Sequence, residues 1–188
     1  MEQNLGNWTK AVYAAGLTAQ KLHDGQLDKG GNDYFTSHLL KVGLSGENWK
    51  EQIVGFLHDA TEDTPFTLDE VMKMVYEIHQ KIDSLPEKDW WQEWMKDVLP
   101  CYGAETFFID NKNENDIREA LMVLNHHNSS SREEYLVKIS RNTLATKVKL
   151  NDLRSNMDIS RIPQPTEKDL LRLARYRKEY DFLLSTLP

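Results

Sequence analysis

Within six residues, His58-Asp59-Ala60-Thr61-Glu62-Asp63 places an imidazole and three carboxylates directly behind the apolar run Ile53-Val54-Gly55-Phe56-Leu57. On a helix, His58 and Glu62 share one face at i, i+4, Asp59 and Asp63 share another, and neighbouring residues differ by only about 100° around the axis. All four groups can therefore converge on one cleft. Left unpaired in an interior, each would cost several kcal/mol, so a metal, one another, or water must satisfy them. A His-Asp dipeptide on a helix is more often a surface or hydrogen-bonded pair than a ligand pair, so metal chemistry needs partners elsewhere in the chain.

Three other places could supply them. His38 lies in a segment with Leu39, Leu40, Val42 and Leu44 and reads equally as a core histidine with a backbone partner. Lys149, Asp152 and Asn156 fall at i, i+3 and i+7, a polar stripe beside Leu144, Val148 and Leu153, so Asp152 could face the same cleft. His126-His127 invites a metal reading, but it closes a helix before Ser129-Ser130-Ser131 and is expected to be solvated or to face substrate.

The elements that must position these groups are helices. Val12, Ala15, Ala19 and Leu22 recur at helical spacing and Gly25 supplies a C-cap. The paired glycines of Gln26-Leu27-Asp28-Lys29-Gly30-Gly31-Asn32-Asp33 predict a turn-rich loop open to a ligand. Thr64-Pro65-Phe66 breaks the central helix, and Thr67 with Glu70 forms a capping box for the next. A helix from Asp116, with Ile117, Ala120, Leu121, Val123 and Leu124 on its apolar positions, follows, then one helix from about Arg132 to Met157. A final helix opens at Thr166, its stripe of Leu170, Leu173, Tyr176, Tyr180 and Leu183 closing the core. Between them, residues 84–115 carry Trp90, Trp91 and Trp94 among acids, read as an insertion whose tryptophans form a packing face.

Length and composition confine these elements to one domain. The 188 residues are 39% hydrophobic, enough for a single core and too few for a second complete domain. One cysteine, Cys101, excludes an intramolecular disulfide, and the polar start carries no secretory pattern, so the expected location is cytoplasmic. No apolar run approaches the ~20 residues that cross a bilayer. A net charge of −7 argues against a nucleic-acid partner, yet Ser131 to Lys178 holds twelve basic residues against six acidic ones. Most of those cations read as solvated helix faces, and a few could line a site for an anionic substrate.

Taken in order, His23-Asp24-Gly25-Gln26 with Lys29, Tyr34-Phe35-Thr36-Ser37-His38, Leu57 to Thr64, and Val148 to Asn156 resemble the successive signatures of the HD-domain phosphohydrolase superfamily. Within it, the chain looks like the hydrolase half of the RelA/SpoT family, which removes pyrophosphate from (p)ppGpp. That resemblance implies an all-α HD-domain helical bundle. It implies one divalent metal held by His38, His58, Asp59 and Asp152, expected to be Mn²⁺, with Fe, Zn or Mg as alternatives. Two imidazoles and two carboxylates without a thiolate suit such ions. It further assigns base or orienting roles to Glu62 and Asp63, and substrate contacts to Asn156 and Lys29, with Lys149 and Arg141 as further cations. The implied partner is a small-molecule nucleotide, with no nucleic acid and no membrane.

Two departures touch substrate recognition. The family commonly has Arg before the loop lysine where this chain has Asp28, and Phe35 to His38 fits the usual spacing only with one extra residue. The synthetase region of bifunctional members lies outside this chain, so hydrolysis alone is expected. Another nucleotide substrate, or a non-catalytic nucleotide-binding HD module, are the alternatives.

Overall fold

The computed structural model describes residues 10–83 and 111–187, which form an all-α bundle with no strand among them. The tryptophan segment, including Trp90, Trp91 and Trp94, lies outside the described residues. No described helix is long and apolar enough to cross a membrane.

The bundle is built around α3 (Trp49–Leu57), in which every residue from Glu51 to Leu57 is buried. A helix that is buried all round needs neighbours on every side. They are α1 (Lys10–Leu22), α2 (Leu40–Leu44), α6 (Asn111–Leu124) and α8 (Thr143–Met157), all packed against α3. Behind these, α5 (Leu68–Asp83) lies on α1, while α7 (Arg132–Ser140) and α9 (Glu167–Leu184) close over α8. A β carbon added to Gly43 would meet the Phe56 ring at 2.7 Å, and one added to Gly55 would sit 3.0 Å from the Gly43 Cα. Glycine at both positions lets α2 and α3 approach closely, and the ends of that contact are where His38 and His58 stand.

Two helix boundaries differ from the sequence expectation. The central helix does not run through the ionisable cluster: α3 stops at Leu57, His58 and Asp59 form a turn, and α4 (Ala60–Asp63) starts afresh with its last amide bonded back to the Asp59 carbonyl at 2.8 Å. The expected single helix from Arg132 to Met157 is also two helices, because the Asn142 side chain accepts the Ala145 amide at 2.9 Å and caps a new start. Gly25 (φ 75°) and Gly31 (φ 80°) take left-handed turns, and an antiparallel bridge between Leu27 and Asp33 ties off the loop between them and α2. The capping box at Thr67 is present as expected, and the helix expected to open at Thr166 does so with a second capping box, closed by Asp169.

Candidate metal centre

His38 sits in a π-helical turn, Phe35–Leu39, that leads into α2, a widening that re-aims side chains and recurs at functional sites. His58 occupies the turn after α3, and Asp152 lies in the third turn of α8. Long-range packing brings these segments together. The ligand atoms of His38, His58 and Asp152 all lie within 4.8 Å of one another, and all three residues are buried, so the group could hold a metal ion. His38 Nε2 is 3.3 Å from Asp152 Oδ1, and His58 Nε2 is 3.7 Å from the same oxygen. Asp59 Oδ2 stands 3.1 Å from His58 Nε2 and 3.6 Å from His38 Nε2. Ligands about 2.1 Å from a common ion stand about 3.0–3.4 Å apart in octahedral or tetrahedral geometry, close to these spacings.

Each ring is oriented by its far nitrogen. His58 Nδ1 donates to the Gly55 carbonyl at 2.8 Å, and His38 Nδ1 is 2.9 Å from Ser155 Oγ. Both Nε2 atoms therefore face the carboxylates. His58 Nε2 is buried and has no hydrogen-bond partner, since Asp59 lies near it but off the hydrogen-bond direction. An orphaned buried nitrogen aimed at two carboxylates fits a cation between them better than a closed hydrogen-bond network.

Outer partners fix the carboxylates as well. Tyr34 donates to Asp59 Oδ2 at 2.6 Å, and Lys149 Nζ lies 2.7 Å from Asp152 Oδ2. Asn156 donates to Asp152 Oδ1. Burial opposes ionisation of Asp152, but the Lys149 charge and both imidazoles hold its carboxyl well below the usual range. Asp59 is held low against its own burial by His58 and His38. The two histidines are shifted the other way: burial would lower them, and Asp59 and Asp152 raise both. Burial and the Asp59 charge keep the Tyr34 phenol protonated, as a donor.

The remaining expected residues divide between this site and other surfaces. Asp63 is exposed at the mouth of this cluster, and partial desolvation together with the Asp59 charge pushes its carboxyl up; Gln26 Nε2 lies 3.4 Å from it. Glu62 is gripped by His126, 2.7 Å from its Nδ1. Lys29 and Asn156 line a cleft of about 210 Å³ with Asp28, Tyr34, Ile159, Ile162 and the α9 residues Asp169, Arg172, Leu173 and Tyr176. Tyr34 and Asn156 belong to both the cleft and the metal site, so the two adjoin. Lys149 is largely buried, with its ammonium also over the Tyr135 ring, so its charge acts on the site through Asp152. Arg141 lines a separate groove with Lys50, Glu51, Asp116 and Lys147, which shares no residue with the cleft.

Sequence reasoning passed over several residues that the fold places here. Ser155 lies three residues past Asp152, the signal of a shared helix face, while Tyr34 stands out only as part of a block. The α9 stripe was expected to close the core. Leu183 does so, and Tyr176 and Tyr180 pack against that core partly buried, but Leu170 is exposed, and Leu173 and Tyr176 also line the cleft. Neither models of known protein families nor curated proteins match the chain.

Proposed function

We propose that the chain is a metal-dependent phosphohydrolase acting on a nucleotide phosphoester or pyrophosphate ester, with (p)ppGpp as the leading substrate and its 3′-pyrophosphate as the group removed. The observation that carries this reading is the convergence of His38, His58 and Asp152 from three distant segments, with an orphaned imidazole nitrogen, beside a cleft that shares Tyr34 and Asn156 with them. The ordered sequence blocks that resemble HD-domain hydrolases supply the reaction class. Asp59 serves as the fourth ligand. Mn²⁺ is the ion we assign, because two imidazoles and two carboxylates suit a borderline-to-hard divalent cation. When bound, it would acidify a water and polarise a phosphoryl oxygen.

The chain's own groups do the rest. The water oxygen bonds to the inner phosphorus of the pyrophosphate, and the bond from that phosphorus to the ribose 3′ oxygen breaks. The proton released from water passes to a carboxylate of the Glu62/Asp63 pair and returns to the 3′ oxygen. Asp63 suits this exchange because its carboxyl is already raised by partial desolvation and by Asp59. Lys29 and Arg172, which both line the cleft, offset phosphate charge, and the Lys29 ammonium is only loosely held, 3.9 Å from Asp169.

A second reading keeps the chemistry and changes the nucleotide. Asp28 Oδ1 accepts the Gly30 amide at 2.8 Å and the Asn32 amide at 2.9 Å, so this carboxylate organises the loop where the family pattern places an arginine that reads the base. The test is a panel of nucleotides with Mn²⁺. Pyrophosphate released from ppGpp supports the first reading; orthophosphate released only from simple nucleotides rejects it in favour of the second. Binding of guanosine polyphosphate without turnover, together with a Glu62→Gln variant that behaves as the parent, makes the protein a binding module.

A further inference from the structure

We propose that His126 is a positioning residue that aims Glu62 at the reaction centre, an inference that rests on the role given above to Glu62. The two residues are 64 positions apart, yet His126 holds both carboxylate oxygens of Glu62: Nδ1 is 2.7 Å from Oε1, and the backbone amide donates to Oε2 at 3.2 Å. With a carboxylate as acceptor, Nδ1 must carry the proton. Glu62 needs such a clamp because α4 is a single turn of helix, too short to restrict a long side chain by packing alone.

The clamp is itself braced. The turn His126–Asn128 follows Asn125, whose amide nitrogen donates to both the carbonyl and the hydroxyl of Thr61 at 3.1 Å. Asn125 and His126 thus fasten the turn to two successive residues of α4. The His126 ring lies tilted against His127 with centroids 4.0 Å apart and meets Tyr135 in a T-shaped contact. Tyr135 is buried, donates to the Leu124 carbonyl at 2.8 Å, and carries the Lys149 ammonium over its face. One connected set of contacts therefore runs from Glu62 through His126 and Tyr135 to Lys149 and the ligand Asp152. A held carboxylate presents its remaining lone pairs in one direction, which is what proton transfer to or from a bound water requires.

Steady-state hydrolysis of ppGpp by the full-length Mn²⁺-loaded protein tests this, alongside imidazole nitrogen NMR. His126→Ala should lower kcat by about 10- to 100-fold, a part of what a general base supplies, while KM stays within about threefold and metal content is unchanged. His126→Asn, whose amide nitrogen replaces Nδ1, should recover most of the loss. An alanine variant with the parent kcat, or an asparagine variant as impaired as alanine, overturns the proposal. The NMR spectra should show the Nδ1–H form of His126 in the parent and its loss in Glu62→Ala. A His126 tautomer indifferent to Glu62→Ala refutes the pair whatever the kinetics. A responsive tautomer in a protein that hydrolyses no nucleotide instead locates the failure in the catalytic reading, and the positioning role falls with it.

Discussion

Lys147 and Lys149 stand two residues apart on α8 and enter two clusters of charge that behave differently. Lys147 reaches the groove near the start of α3, where it lies 2.9 Å from Glu51 and 3.1 Å from Glu47. Glu51 there also accepts the Glu47 amide and the Asn48 side chain, and Lys50 meets Asp116. Cations and carboxylates in that groove are matched, and Lys147 remains a third exposed. Lys149 is largely buried against Asp152, in a cluster where two imidazoles and two carboxylates face one another across gaps of 3.1–3.7 Å and one nitrogen has no partner. Charge density is therefore a poor marker of a site. Converging lone pairs, each braced from behind and left open in front, are the better one.

The largest effect expected from breaking this contrast is at Asp152. Asp152→Ala should abolish metal retention, measured by elemental analysis, and lower hydrolysis by about 10³-fold or more, the scale of a lost metal-activated nucleophile. Full metal content in that variant would refute the ligand assignment. Acidity should come next. The raised histidines stabilise the metal-free fold fully below about pH 6.5 and lose that contribution as pH rises through their folded values, whereas Asp59 and Asp152 contribute above about pH 3.9 and lose it as pH falls through their depressed values. A metal must displace the imidazole protons. Its affinity, read by calorimetric titration between pH 6 and 8, should rise by up to about tenfold per unit for each proton displaced; a flat profile would contradict ligation by these histidines.

The two lysines sharpen the comparison directly. Lys149→Met removes the lysine partner of Asp152 and should cost about 3 kcal/mol in urea unfolding of the metal-free protein. Added Mn²⁺ should then restore more stability than it gives the parent. Ser155→Ala frees His38 Nδ1 and should weaken metal binding by about tenfold, with stability nearly unchanged. Lys147→Met, by contrast, removes a partly exposed ion pair, so a loss of at most about 1 kcal/mol is expected, with metal affinity untouched. Equal responses from Lys147 and Lys149 would erase the distinction between the two regions.

How far the site could be read in advance depended on distance along the chain. The stripe Lys149, Asp152, Asn156 was legible because α-helical spacing alone puts those groups together, and they do meet. The ionisable cluster after Leu57 was legible as chemistry but not as geometry, since the break at His58 and Asp59 that re-aims it follows from packing around α3. His126 was legible only as a helix end that is solvated or faces substrate. Nothing within ten residues of it indicates that Glu62 is its partner.

The sequence by itself determined an all-α chain, the glycine turn at Gly25, the capping box at Thr67, the helix start at Thr166, and the stock of residues able to do chemistry, because each of these depends on neighbours a few positions away. Tertiary structure alone decided which members of that stock meet. His38, His58 and Asp152 converge only because Gly43 and Gly55 let two helices come close and α8 packs across both. The same packing turned part of the α9 stripe from core into cleft wall and placed a histidine on Glu62. Helical period is a local property of the chain, whereas the surroundings of a buried imidazole nitrogen are set by everything packed around it.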